Sequence, residues 1–279
     1  MHIRNPVEWS VDQIRFAGAA MSRPSQRRPS RAPAVRHVAP ADLRAALARG
    51  FEDFAAVRSD VAFLCVIYPL AGLVLARLVF GYGLLPLLFP LASGFALIGP
   101  VAAVGLYELS RRREGGAEVG WADAFGIVHA PGFGAIVRFG LLLLAIFLVW
   151  IAVAVALWDM TLGPEPPASV GAFADELFAT GRGWTLIVAG NLIGFLFAAF
   201  VLAISVVSVP LLLDRNVGLA AAIGTSLRAV RRNPGTMALW GLIVAAGLVI
   251  GTIPLFLGLI VVMPVLGHAT WHLYRRAVA

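Results

Sequence analysis

The sequence contains no lysine, a single cysteine and few charged residues. All 22 basic residues are arginines, and charged residues fill only 13% of the 279 positions. A soluble domain carries about 25% charged residues, so this chain lacks the polar surface that a water-exposed domain needs. Because Cys65 is the only cysteine, the chain can form neither an internal disulfide nor a metal site made of paired thiols.

Apolar residues are in excess and account for 60% of the chain. They occur in long runs, such as LLLLAIFLVWIAVAVALW at 141–158. Because about 20 consecutive apolar residues cross the bilayer core as a helix, the pattern predicts an all-α, polytopic transmembrane helical bundle. We place six spans near residues 61–81, 85–106, 139–159, 184–213, 235–253 and 256–275.

Residues 1–41 form a basic segment rich in arginine, proline and serine, which includes SRPSQRRPSRAPAVRHVAPA at 22–41. This composition cannot bury apolar surface, so we predict a largely disordered tail ahead of a membrane domain at 42–279. The segment has no continuous apolar core, and we expect insertion to begin at an internal helix. The arginines suit an anionic membrane leaflet, and nucleic acid is the less favoured partner.

The arginines are distributed unevenly between the two sides of the predicted bundle. The segments 1–60, 107–138, 214–234 and 275–279 hold 20 of the 22 arginines. Positive residues in short loops mark the cytoplasmic side. The sequence therefore predicts a bacterial inner-membrane protein whose N and C termini both face the cytoplasm.

The chain also resembles itself in three successive units. Each unit begins with an amphipathic segment whose apolar residues step by three or four, and a hairpin of two spans follows. The units lie near 42–106, 119–213 and 217–276. The second span of every unit carries a proline in its second half: Pro100, Pro210 and Pro264. We therefore predict a threefold repeat of a cytoplasmic amphipathic helix and a transmembrane hairpin.

His268 and His272 lie in GHATWHLYRR at 267–276, four residues apart and therefore on one helical face. Neutral imidazoles at this spacing can share a metal ion, and a single imidazole can ligate haem. Glu108 or Asp214 could supply a third ligand in space. The favoured interpretation is an interfacial collar of aromatic and basic residues that anchors the last helix. We therefore predict no cofactor, and haem or metal binding is the alternative.

Charged residues at the ends of the spans are the second group of candidates. We expect five arginines to contact lipid headgroups or a partner protein: Arg228, Arg231, Arg232, Arg275 and Arg276. Asp214 ends the fourth span in PLLLDRNVG. We expect this carboxylate to form a structural ion pair with a neighbouring arginine.

The sequence carries none of the common catalytic motifs. It has no phosphate-binding glycine loop, no G-x-S-x-G elbow and no pair of carboxylates that would share a cleft, so we expect no enzyme activity. The spans contain almost no ionisable residues, which disfavours an ion-coupled pump. Internal repeats are common in transporters, so a permease for a small solute or a lipid, built from three hairpins, is an alternative function.

Three stretches of the chain resemble a bacterial family catalogued as domain of unknown function 2189. They are GFALIGPVAAVGLYELSRRREGG at 94–116, the segment 210–245 and the segment 254–276. The resemblance runs from about residue 60 to the end, and GHATWHLYRR is its most specific part. The family comprises predicted integral membrane proteins, some of them labelled cytochrome c oxidase subunits. The resemblance implies at most an accessory or assembly role beside a respiratory oxidase, and it identifies no ligand residues.

Overall fold

A computed structural model describes residues 33–57, 65–81 and 84–279, which form eleven α-helices and no strand. The helices are α1 (Pro40–Ala56), α2 (Ile67–Gly81), α3 (Leu88–Ala102), α4 (Val104–Glu114), α5 (Phe133–Thr161), α6 (Val170–Ala179), α7 (Gly181–Ser205), α8 (Ser208–Asp214), α9 (Leu219–Arg232), α10 (Pro234–Thr252) and α11 (Leu259–Ala277). Two 3₁₀ segments, Leu85–Leu87 and Trp121–His129, complete the described elements. The predicted all-α class is therefore confirmed.

Within the described residues, four helical stretches are long and apolar enough to cross a membrane. They are Leu85–Glu114, Phe133–Thr161, Gly181–Asp214 and Pro234–Thr252. The first is broken after α3 and the third after α7, and in each case a proline, Pro100 or Pro210, lies within three residues of the break. Proline has no backbone N–H and clashes with the carbonyl four residues earlier, so it ends or bends a helix. Pro264, by contrast, lies inside the continuous helix α11.

The outward faces of the long helices are apolar. Leu148 on α5, Phe195 on α7 and Leu242 on α10 are 58%, 67% and 65% exposed. Exposed apolar surface of this extent is unfavourable in water and marks a membrane or protein contact. Together with the length of the helices, it indicates that the chain is a multi-pass integral membrane protein.

The remaining two predicted spans correspond to α2 and α11. Helix α2 has 15 residues, and residues 61–64 of its predicted span lie outside the described residues. Helix α11 has 19 residues. The span predicted to start at residue 139 begins earlier, at Phe133, directly after a tight contact between Gly132 and the carbonyl of Leu212.

Much of the buried core lies at the end of the bundle where α1, α4, α8, α9 and the second half of α11 meet. Trp271 and Tyr274 on α11 are among its largest fully buried side chains, and Leu109 on α4 is also fully buried. This end also carries the arginine clusters at 111–113, 228–232 and 275–276, so we call it the arginine-rich side.

Helix α1 lies along the second half of α11 with unusually close backbone contact. A Cβ atom on Gly50 would lie 2.6 Å from the nitrogen of Ala269 and 2.7 Å from the carbonyl oxygen of Val265. Only glycine fits at this position without displacing the α11 backbone. The apolar residues Leu43 and Ala46 complete the buried stripe of α1.

The residues before α1 are extended and contact the C-terminal end of the chain. Val35 forms an antiparallel bridge with Val278, and the N–H of Arg36 donates to the carbonyl of Ala277 at 2.8 Å. Val38 is fully buried. The described N-terminal residues and the C terminus therefore lie on the same side of the bundle, while residues 1–32 of the predicted tail lie outside the described residues.

The three predicted amphipathic segments are present as α1, the 3₁₀ segment Trp121–His129 and α9. Helix α1 packs on α11, the 3₁₀ segment packs on α4, and α9 packs on α7 and α8. Gly126 lies against Arg112 and Glu108 of α4, where an added Cβ would overlap the guanidinium group of Arg112. Each amphipathic segment therefore packs on a different helical part of the arginine-rich side.

Candidate functional site

A buried polar cluster joins α1, α4 and α11 on the arginine-rich side. Its members are Asp53, Ser110, Arg113, His268 and His272, and we call it the Asp53 cluster. Asp53 continues the spacing of three to four residues set by the buried residues of α1, which turns its carboxylate toward the interior. Asp53, Ser110, His268 and His272 are at most 7% exposed.

The carboxylate of Asp53 is the centre of the cluster. Its Oδ2 atom accepts a hydrogen bond from the hydroxyl of Ser110 at 2.7 Å and contacts Nε2 of His272 at 2.8 Å. Its Oδ1 atom accepts from Nη1 of Arg113 at 2.6 Å. The Ser110 oxygen also lies 2.7 Å from Nδ1 of His268. One carboxylate thereby connects side chains from three helices.

The hydrogen-bond chain assigns the proton positions on His268. Ser110 uses its one hydroxyl proton toward Asp53, so Nδ1 of a neutral His268 must donate to the Ser110 oxygen. Nε2 then carries a lone pair instead of a proton. Among the described residues it has no hydrogen-bond partner, although the His268 ring interacts electrostatically with the backbone of Leu106.

The environment of Asp53 affects its pKa in two opposing ways. Burial raises the pKa, because the ionised carboxylate loses water, but the hydrogen bonds with His272 and Ser110 favour the ionised form. The net result is a pKa below the usual value for aspartate. Asp53 is therefore ionised at neutral pH and can hold the donors around it.

A second network surrounds Glu108, which is fully buried. Its two oxygens accept hydrogen bonds from Arg111 and Arg112 at 2.7–2.8 Å. Arg112 also donates to Asp123 of the 3₁₀ segment at 2.5 Å. Glu108 therefore orients the arginine that holds the 3₁₀ segment against α4.

Asp214 and the end of α11 form a third network. The hydroxyl of Tyr274 donates to Oδ2 of Asp214 at 2.6 Å, and both Arg215 and Arg275 approach this oxygen at 3.5 Å. Glu114 receives hydrogen bonds from Arg275 at 3.1 Å and from the indole of Trp271 at 3.0 Å. These contacts connect α4, α8 and α11.

The five candidate arginines fall into two groups. Arg275 and Arg276 form ion pairs inside the protein, with Glu114 and with Asp42. Arg228 donates to the hydroxyl of Thr225 on its own helix. Arg231 and Arg232 are exposed and make no hydrogen bond or ion pair with the described residues. Of the five, the three α9 arginines therefore form no ion pair with the described residues.

The proposed third ligands for a metal at the histidine pair have other partners. Glu108 is held by two arginines, and Asp214 is held by Tyr274 and two arginines. His268 and His272 do not share a partner atom, since they contact Ser110 and Asp53 respectively. In the part of the chain that is described, no group of three or more His, Cys, Asp or Glu side chains could hold a metal ion.

Sequence reasoning identified both histidines, because a spacing of four residues is a local signal. It missed Asp53, Ser110 and Arg113, because their partners are far away in the sequence. Asp53 lies 219 residues from His272, Ser110 lies 158 residues from His268, and Arg113 lies 60 residues from Asp53. One signal was available for Asp53: a carboxylate in register with the apolar stripe of an amphipathic helix must be buried with a partner.

No curated protein and no solved structure matches this chain. A family model matches residues 88–214, a range that includes Ser110, Arg113 and Asp214 and ends before α9 and the histidines of α11. That family is domain of unknown function 2189, described as a predicted integral membrane protein, and the match confirms the resemblance read from the sequence over this part of the chain.

Proposed function

We propose that this protein is a non-catalytic accessory or assembly factor of the bacterial inner membrane, and that its partner is a respiratory oxidase. The supporting observation is the construction of the arginine-rich side. Asp53 and Asp214 are each held by side chains from neighbouring helices, and Glu108 is held by two arginines of its own helix, one of which also binds Asp123 of the 3₁₀ segment. Polar groups that satisfy one another in this way fix the positions of helices, as a docking platform requires.

The platform also presents aromatic side chains outward. Phe51 on α1 is 58% exposed, and Trp121 and Phe125 on the 3₁₀ segment are each 43% exposed. Exposed aromatic residues next to arginines are characteristic of surfaces that bind another protein or the bilayer interface. The oxidase is proposed as the partner because of the label that some members of the resembling family carry.

We further propose six membrane crossings, and the contacts between helix ends support this number. Residues 114, 132, 214 and 233 all contact residues on the arginine-rich side, so each of the four long stretches has one end there. Asp53 is also on that side, whereas Leu85 begins the first long stretch at the opposite end. These positions support our proposal of a crossing between Asp53 and Leu85. The positions of Thr252 and Trp271 support a crossing between them in the same way.

The threefold repeat is supported by two matching ion pairs. Asp42 in α1 pairs with Arg276 at 2.5 Å, and Asp123 in the 3₁₀ segment pairs with Arg112 at 2.5 Å. Each aspartate also accepts an N–H from the residue three positions earlier at 2.9 Å. Arg276 lies 12 residues after Pro264, and Arg112 lies 12 residues after Pro100. We propose that both pairs are copies of one contact between successive units, and that α1 closes the ring onto the last unit.

Co-purification tests the proposed function. Tagged wild-type protein is extracted from native membranes in mild detergent together with two variants, Phe51→Ser and Phe178→Ser. Phe178 is the matched control, since it is 61% exposed but lies on α6 at the opposite side. Oxidase subunits should accompany the wild-type and Phe178→Ser proteins and be depleted with Phe51→Ser. Recovery of the wild-type protein alone would contradict the accessory role.

Binding of haem or a metal is a second candidate function, and the observation that favours it is the buried Nε2 of His268, which has no hydrogen-bond partner among the described residues. Its other nitrogen is oriented by a Ser110–Asp53 chain, which resembles the outer-shell contacts that orient metal-bound histidines. Metal analysis and absorbance in the Soret region of protein from native membranes test this function. A metal-free protein without Soret absorbance would remove it.

A further inference from the structure

The end of the bundle opposite the arginine-rich side contains an open cleft between α5 and α7. It has a volume of about 440 Å³ and is lined by the last residues of α5, the turn that follows and the first residues of α7. The volume falls within the range of about 300–1,000 Å³ that small-molecule sites occupy. Asp159, Thr161, Arg182 and Thr185 supply its polar groups.

Two opposite charges line this cleft without pairing. Asp159 and Arg182 are both exposed, and neither makes a hydrogen bond or an ion pair with the described residues. Each charge also lies at the unfavourable end of its helix. Asp159 is in the last turn of α5, where the helix dipole is negative, and Arg182 is in the first turn of α7, where it is positive. A cation near Asp159 and an anion near Arg182 would relieve both repulsions.

The helices that form the cleft are apolar directly below it. Val188 and Leu192 on α7 are 62% and 60% exposed, and Val155 on α5 is 38% exposed. Trp184, which is 53% exposed, lies between the polar and apolar levels of α7, where tryptophan marks a membrane interface. The cleft therefore opens at the depth of lipid headgroups, with acyl-chain contacts next to it.

We propose that the cleft binds the headgroup of a phospholipid that carries both a phosphate and a primary ammonium group, the phosphatidylethanolamine class. The phosphate binds the guanidinium of Arg182, and the ammonium binds the carboxylate of Asp159. The hydroxyls of Thr161 and Thr185 donate to backbone carbonyls of their own helices, so their oxygens remain available as acceptors for the ammonium. The acyl chains follow the apolar faces of α5 and α7.

Native mass spectrometry of the full-length protein tests the assignment. The protein is titrated with phosphatidylethanolamine, phosphatidylcholine and phosphatidylglycerol of identical acyl chains. Phosphatidylethanolamine should bind most tightly, because phosphatidylglycerol lacks the cation and phosphatidylcholine has no ammonium protons to donate. Asp159→Asn and Arg182→Gln should each weaken its binding about three- to fivefold, the effect of one exposed charge pair. Asp175→Asn removes an exposed carboxylate outside the cleft and should change nothing.

Two outcomes would overturn the proposal. Equal binding of all three lipids, with both cleft variants unchanged, would identify only unselective lipid contacts. Free phosphoethanolamine that binds as tightly as the lipid would make the cleft a site for a soluble zwitterion. The substituted residues are exposed, so circular dichroism should show unchanged helix content in every variant. Neither outcome depends on the proposed accessory role.

Discussion

Asp42 and Arg276 are 234 residues apart in the sequence, and their side chains meet at 2.5 Å. Asp42 also caps the first turn of α1 by accepting the N–H of Ala39. This backbone hydrogen bond is the main reason that the pKa of Asp42 lies below its usual value. A single carboxylate therefore starts the helix and attaches it to the C-terminal end of the chain.

Exchange of these two charges should show whether the pair stabilises the closed arrangement. Asp42→Arg and Arg276→Asp should each lower the melting temperature by a few degrees, since the like charges left at the contact repel each other. The double variant should recover part of the loss, with a coupling energy of about 0.5–1 kcal/mol, as is typical of a partly exposed pair. Thermal unfolding in detergent gives the melting temperature of all three variants and of the wild type. Losses that simply add in the double variant would show that the two residues are not coupled.

Loss of the charge on Asp53 should lower the stability of the fold much more than disruption of the Asp42–Arg276 pair. Asp53→Asn leaves Arg113 without its carboxylate partner and disrupts the donors Ser110 and His272, so we expect a destabilisation of about 3 kcal/mol. Glu52→Gln is the matched control, because Glu52 is exposed and adjacent on the same helix. Limited proteolysis near residue 50 at increasing temperature measures the unfolding of α1. An equal effect of both substitutions would contradict the central role of Asp53.

The lowered pKa of Asp53 also predicts the pH dependence of this contribution. A group whose pKa is lower in the folded state stabilises the fold above its unfolded value and loses that contribution as the pH falls toward the folded value. The difference in stability between wild type and Asp53→Asn should therefore be constant near neutral pH and should shrink below about pH 4. Melting temperatures of both proteins between pH 7 and pH 3 test this. A difference that grows in acid would mean that the pKa of Asp53 is raised.

Gly132 provides a sharp test of packing between α5 and α8. A Cβ atom at this position would lie against the carbonyl oxygen of Leu212, which belongs to the backbone and cannot rotate away. Gly132→Ala should therefore lower the melting temperature by several degrees, in keeping with an overpacking cost of about 1–3 kcal/mol. Gly120→Ala is the control, since a Cβ there would meet nothing within 4 Å. Equal stability of the two variants would show that the contact relaxes without cost.

The sequence was sufficient to predict the features of the fold that depend on local composition. The run that contains residues 141–158 predicted α5, because the apolar character of a membrane helix is present in every turn. The four-residue spacing of His268 and His272 placed them on one face in the same way. The partners of these histidines could not be predicted, since Asp53 and Ser110 reach them only through the docking of α1 on α11 and the contact of α11 with α4. The cleft between Asp159 and Arg182 likewise depends on how two helices meet.

Accessibility of introduced cysteines would test the six crossings and the orientation together. Cys65 is 1% exposed and is replaced by serine, and single cysteines are then introduced at Arg231, Ile253 and Ala279, which are all exposed. If α11 crosses the membrane and the arginine-rich side is cytoplasmic, a membrane-impermeant maleimide should label intact cells only at position 253. Positions 231 and 279 should react only after the inner membrane is opened. Because Val35 and Val278 are bridged, labelling of positions 253 and 279 from the same side would exclude six crossings. A fully reversed labelling pattern would retain the six crossings and invert the orientation.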